Sequence, residues 1–229
     1  MGAEKGAEMK ILIAIPCLDH IDTEFAASLC ALNKPGTVDV KFQQSSLVYD
    51  SRNRLCEYAI DNEYDYVLWL DSDMTFNEDM LIDMLKDLKD SKGQYDAVAG
   101  IFFARRPNFE PCVWTKIRLS NVPEEAIIER VEDVPSEPFE IDACGMAAVL
   151  MHIDVIKAVS KYGSGMPFSP MIGFGEDVSF CIRARKLGYN FLCDPRIKVG
   201  HMARTTVCED TYLAWKQRLE NNNGDNNNS

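Results

Sequence analysis

The sequence predicts an α/β sandwich, and three observations predict it. Short apolar runs alternate with amphipathic helical patterns along most of the chain, the order expected when helices cover a central sheet. The run Ile11-Leu12-Ile13-Ala14-Ile15 is apolar at every position, as a strand covered on both faces must be. A second such run, Tyr66-Val67-Leu68-Trp69-Leu70, passes directly into the polar Asp71-Ser72-Asp73.

The elements follow in order. Lys10 to Pro16 reads as the first strand, Thr23 to Leu32 as a helix and Thr37 to Phe42 as the second strand. Ser51 to Asn62 is a helix with Leu55, Tyr58, Ala59 and Asn62 on one face, and Tyr66 to Leu70 is a buried strand. Thr75 and Glu78 have capping-box spacing for a helix through Leu88, whose inward positions are Met80, Leu81, Met84, Leu85 and Leu88. Ala97 to Phe103 is the next strand. The Glu-rich stretch from Arg105 to Glu140, punctuated by five prolines, is expected to be an irregular, strand-containing insertion. Ala143 to Met151 reads as a strand, Ile153 to Val159 as a short helix, and the Gly- and Pro-rich stretch from Gly163 to Gly175 as a mobile or sharply turned loop. Asp177 to Leu187 is helical with Gly188 at its C-cap, and a short strand, Asn190 to Cys193, precedes Asp194-Pro195. Residues 9–220 are expected to form one domain, between a disordered segment at 1–8 and a disordered Asn-rich tail at 221–229.

Composition narrows the function. The 229 residues carry 24 basic and 36 acidic side chains, a net charge of −12, so non-specific nucleic-acid binding is disfavoured for want of a basic surface. No apolar run reaches the roughly 18 residues of a transmembrane helix. The eight cysteines form no C-x-x-C pair and several lie in apolar runs, which points to reduced thiols and a cytoplasmic location.

Three constellations bear on chemistry. Asp71 and Asp73 stand at the carboxyl end of a buried strand, where open α/β sheets bind ligands, and such a pair can hold Mg²⁺ or Mn²⁺ with substrate phosphates. A solvated turn before a helix explains the same residues. Glu176 and Asp177 open a helix, where the macrodipole keeps a carboxylate ionised, as a general base must be; simple capping is the alternative. His201 is one of three histidines with His20 and His152, of which His152 lies in an apolar stretch and reads as structural. Arg52 and the pair Arg105-Arg106 are candidates for phosphate contacts, Arg52 the better placed because it begins a helix beside the sheet.

In this order and spacing the pieces resemble the family 2-like glycosyltransferases with the GT-A fold. The resemblance runs from Ile11 to His201: Leu70-Asp71-Ser72-Asp73-Met74 as the D-x-D strand end, Cys144 to Met151 as the segment before the acceptor helix, and Gly175-Glu176-Asp177 with Arg183, Gly188-Tyr189 and Asp194-Pro195 as the E-D helix and its sequel. It implies a Rossmann-like α/β/α sandwich with a mostly parallel, mixed sheet. It also implies an inverting, hexosyltransferase-class enzyme that takes a nucleotide-diphospho-sugar and uses Mn²⁺ or Mg²⁺. Asp71, Asp73 and His201 would hold the metal, Asp177 would be the base, and Glu176 would orient the base or the acceptor. Pro16, Cys17, Ser72 and Arg52 would contact the nucleotide. Where relatives carry an acidic residue that reads uracil, this chain has Phe42-Gln43-Gln44-Ser45-Ser46, which leaves Gln43 or Gln44 for the base and removes the signal for uridine.

Two other readings fit some of the same residues. Asp71-Ser72-Asp73-Met74-Thr75 has the D-x-D-x-T pattern of haloacid dehalogenase-like phosphatases, although that motif belongs on a first strand and Lys198 and Glu176-Asp177 fit its other motifs poorly. A non-catalytic nucleotide-sugar-binding protein on the same fold is the second. The acceptor is not encoded in any recognisable motif.

Overall fold

The computed structural model describes residues 9–105, 108–120, 127–162, 165–203, 208–209, 212–213 and 216–217. The expectations for the two termini lie outside these residues, as do Arg106, Gly163 and Ser164.

A seven-stranded mixed sheet forms the centre. Its strands are β1 (Lys10–Cys17), β2 (Thr37–Gln44), β3 (Tyr66–Leu70), β5 (Ala97–Ile101), β8 (Phe139–Ile141), β10 (Ala148–His152) and β11 (Phe191–Lys198), in the order β2-β1-β3-β10-β5-β11-β8. β10 runs antiparallel to β3 and β5, and β8 antiparallel to β11; the other pairings are parallel. The remaining strands make two small sheets: β4 (Met74–Thr75) with β12 (Gly200–His201), and β6 (Val113–Arg118) between β7 (Ile127–Arg130) and β9 (Ala143–Cys144).

Among the described residues, helices α1 to α5 cover the two faces. Ile11, Ile13 and Ile15 of β1 pack with Phe25 of α1 (Thr23–Ala31) and with Met80, Leu81 and Met84 of α3 (Met80–Asp90). Leu12 and Ala14 face the other way, onto Leu55, Cys56 and Ala59 of α2 (Val48–Asp61), Val155 and Ile156 of α4 (Ile153–Tyr162) and Phe180 and Cys181 of α5 (Glu176–Lys186). This period-two division of one apolar strand makes the sandwich, since each fully buried Ile or Leu contributes about 1.5–3 kcal/mol. Among the described residues, no helix is long and apolar enough to cross a membrane.

Several boundaries differ from the sequence expectations, each for a non-local reason. Thr75 does not cap α3: it pairs with Gly200 in the β4–β12 ribbon, and α3 begins five residues later with Asp79 at its N-cap and no side-chain cap. The strand expected from Ala143 to Met151 is two strands, because Gly145 turns the chain against Phe102, where a Cβ would collide with the ring. β11 continues through Pro195 to Lys198, with an irregular register between Asp194 and Lys198 that accommodates the missing N–H. Asn62 is exposed, and Ser51, Arg52 and Asn53 are the buried polar residues of α2 instead.

Candidate active site at the carboxyl ends of the strands

β3 ends at Leu70 and the chain enters the Asp71-Ser72-Asp73 turn, which is tied down from three directions. The Asp71 N–H donates to Ala147 O at 3.1 Å, the Asp22 N–H to Ser72 O at 3.2 Å and the Met202 N–H to Asp73 O at 2.8 Å. The last contact belongs to the β4–β12 ribbon, which carries His201 to the turn. Gly200 permits that pairing, since a Cβ there would collide with the Thr75 hydroxyl.

Asp73 and His201 form one half of the site. His201 Nε2 lies 3.6 Å from Asp73 Oδ2, while its Nδ1 is 2.9 Å from the Phe103 carbonyl oxygen, which it reaches as a donor. That second contact fixes the tautomer and leaves Nε2 facing the carboxylate, the usual orientation of a metal-binding imidazole. The neighbouring Asp73 carboxylate raises the His201 pKa. Burial alone would raise the Asp73 pKa, but His201 and the Arg105 charge carry it below its ordinary value. Arg105 Nη1 reaches Asp73 Oδ2 at 2.8 Å, from a side chain that is half exposed.

Asp71 belongs to a different set. Arg52, only 2% exposed, donates to Asp71 Oδ1 at 2.7 Å and to the Met146 carbonyl at 3.3 Å, and its Nε lies 3.5 Å from Glu176 Oε1. The guanidinium lies against the contacting pair of Trp69 and Phe168, 5.7 Å from each ring centroid. The polar contacts of Arg52 point inward and join the Asp71 turn to the start of α5. Asp71 and Asp73 thus have different charged partners, Arg52 for the first and Arg105 with His201 for the second. Among the described residues, no group of three or more His, Cys, Asp or Glu side chains is placed to hold a metal.

Glu176 and Asp177 begin α5 behind Gly175. The Asp177 carboxylate turns back over the helix start, with Oδ1 accepting from the Val178 N–H at 2.7 Å, and a Cβ on Gly175 would press against that oxygen at 2.8 Å. Burial, then the Glu176 charge, raises the Asp177 pKa to about 6. Burial likewise raises the Asp71 pKa, opposed by Arg52.

Two cavities flank Ser72 and Asp73. One, of about 510 Å³, is lined by Leu18, His20, Asp22, Arg105 and Met202. The other, of about 290 Å³, is lined by Pro16, Cys17, Ser45, Ser46, Ser51 and Asp71. Pro16, Cys17 and Ser72 thus all line the second cavity. Gln43 does not line either cavity, and its amide donates to the Gln44 carbonyl at 3.2 Å. Ser45, Ser46 and Ser51 line the second cavity, and the buried Ser51 hydroxyl has no hydrogen-bond partner among the described residues. Arg105, ranked below Arg52 on sequence, is the arginine that reaches the cavity. Its position depends on the ribbon contact to Met202, which no local pattern encodes.

No family model matches the chain, and no curated protein matches its sequence. Among solved structures it is similar to A197 from STIV, with a TM-score of 0.56 at 15% identity over 88% of this chain and 97% of that one. It is also similar to GalNAc-T7 with UDP, GalNAc and Mn²⁺, with a TM-score of 0.55 at 10% identity over 88% of this chain and 45% of that one. At these identities the likeness is one of fold, and the fold is the GT-A-like α/β/α sandwich.

Proposed function

We propose that this chain is a metal-dependent glycosyltransferase that moves a sugar from a nucleotide-diphospho-sugar to an acceptor hydroxyl, with inversion. The observation that carries the reading is an Asp73–His201 pair beside a cavity, together with a partly enclosed carboxylate, Asp177, that feels the Asp71 charge and has a pKa near 6. A GT-A-like neighbour solved with UDP, GalNAc and Mn²⁺ supports the same class of donor and cation.

The residues fit a divalent cation held largely by its substrate. Asp73 Oδ2 and His201 Nε2 are the two protein donors, and Mg²⁺ or Mn²⁺ sites of this kind take their other ligands from phosphates and water. Arg105 now supplies the positive charge against Asp73, and a half-exposed ion pair worth about 0–1 kcal/mol yields readily to a divalent ion. When bound, the metal neutralises charge on the departing nucleoside diphosphate. Asp71, fixed by Arg52, holds the turn rather than the cation.

The nucleoside occupies the cavity of Pro16, Cys17, Ser45, Ser46 and Ser51. Asp177 takes the proton from the acceptor hydroxyl as its oxygen attacks the anomeric carbon and the bond to the diphosphate breaks. A carboxylate with a pKa near 6 is ionised at neutral pH yet more basic than an exposed aspartate, which suits that role. Glu176, facing Arg52, orients the start of α5.

Calorimetry with nucleoside diphosphates tests the donor site. Binding that requires Mn²⁺ and disappears in Asp73→Ala is expected; binding indifferent to both would sink the metal assignment.

A further inference from the structure

β2 is the outer strand of the central sheet, and among the described residues β1 is its only strand neighbour. Its backbone shows which groups are left over. The Thr37 N–H donates to Met9 O and the Ser45 N–H to Cys17 O, so odd-numbered residues turn their amides toward β1. Val38, Val40, Phe42 and Gln44 therefore direct theirs outward, where a strand edge can accept another strand.

The side chains are just as regular. Val38 packs on the α1–α3 face with Val40 and Phe42 following it; Val40 is 39% and Phe42 43% exposed. Asp39 and Lys41 point to the α2 face, where Asp39 accepts from the Tyr64 hydroxyl at 2.8 Å and Lys41 lies 4.9 Å from the Tyr58 ring centroid. Natural edges usually carry a lysine that repels strangers. Here the lysine has a matching aspartate two residues away.

We propose that the protein forms a two-fold dimer through antiparallel pairing of β2 with β2 of a second copy, centred on Val40. An axis perpendicular to the sheet keeps each face continuous, so only residues of like parity can stand opposite one another. Centring on Val40 sets Val40 against Val40, Val38 against Phe42, and Asp39 against Lys41 on both sides of the axis. Centring on Asp39 opposes two aspartates, and centring on Lys41 opposes two lysines; like charges directly opposite destabilise a pair. The free amides agree with the same register. Val38, Val40 and Phe42 become the hydrogen-bonded pairs, and Asp39–Lys41 falls on the closer, non-hydrogen-bonded pair, about 4.5 Å between Cα atoms, where an ion pair forms best. The result is one sheet continuous through two molecules, with a shared apolar stripe of Val38, Val40 and Phe42.

The test is sedimentation equilibrium of the full chain up to about 1 mM, a range suited to a contact at the small end of interface sizes. A concentration-dependent dimer is expected. Lys41→Asp and Asp39→Lys should each weaken it about tenfold, because two symmetric pairs turn from attraction to repulsion. The double variant Asp39→Lys/Lys41→Asp should recover it. Val40→Pro, which removes an outward amide and leaves the β1 ladder intact, should give a monomer with an unchanged unfolding midpoint. A monomer at every concentration, a dimer indifferent to the single charge changes, or failure of the charge swap to restore it would overturn the proposal.

Discussion

Arg52 donates to Asp71 at 2.7 Å from a side chain that is almost wholly enclosed, and the same guanidinium faces Glu176 at 3.5 Å. One buried cation thus connects the two acidic motifs, one from the end of β3 and one from the start of α5. The acidic charges around it raise its pKa despite the opposing effect of burial, so it stays charged.

Arg52→Met is expected to destabilise the protein by about 3 kcal/mol. That is the low end for a broken buried ion pair, because the Asp71 side chain is one-third exposed. Urea unfolding of Arg52→Met beside the wild type measures it. A loss under about 0.5 kcal/mol, as for a surface arginine, would contradict the internal tie.

Asp177 makes activity depend on pH in a stated direction. A base must be ionised, so kcat/KM should fall as pH drops through about 6 and level off above it. Asp177→Asn should still bind nucleoside diphosphate but lose transfer by roughly 10²–10⁴-fold. Full turnover by that variant would place the base elsewhere.

His201, with its pKa raised by Asp73, must lose any proton on Nε2 before that nitrogen can bind a metal. Mn²⁺-dependent affinity for nucleoside diphosphate should therefore weaken as pH falls. His201→Ala should reduce the affinity only when Mn²⁺ is present. An equal loss without metal would assign His201 to the nucleotide instead.

Away from the site, Asp87 of α3 and Asp194 of β11 form a buried carboxyl pair under Arg196. Burial, then the hydrogen bond to Asp194, raises the Asp87 pKa to about 7. A raised folded-state value means that the Asp87 contribution is complete below the unfolded pKa, near 3.8, and is lost as pH rises through about 7. Asp194 is shifted downward, so its own contribution is lost only below that window. Asp87→Asn should accordingly flatten the fall in Tm between about pH 4 and 7. Identical Tm–pH slopes in the two proteins would refute the assignment.

The parts of this molecule that were legible in the sequence are those set by local pattern. Ile11 to Ile15 and Tyr66 to Leu70 are apolar without interruption because both faces are covered, so the strands and the position of Asp71 to Asp73 could be read directly. Glu176 and Asp177 at a helix start were legible for the same reason. What escaped depends on distant partners. Thr75 looks like a cap until Gly200 pairs with it. The burial of Arg52 escaped because a helix-start arginine is normally solvated, and nothing nearby announces Trp69, Phe168 and Glu176 around it. Ser51 lines the cavity of Pro16 and Cys17 from within α2, which begins at Val48, three residues earlier than its apolar face suggests.

The central claim is sugar transfer from a nucleotide-diphospho-sugar, and donor hydrolysis tests it without knowledge of the acceptor. Purified protein is incubated with a panel of nucleotide-diphospho-sugars and Mn²⁺, and release of nucleoside diphosphate is followed for wild type, Asp73→Ala and Asp177→Asn. Slow release from one donor, dependent on Mn²⁺ and lost in both variants, is expected. Release from no donor, together with no Mn²⁺-dependent binding of any nucleoside diphosphate, would contradict it.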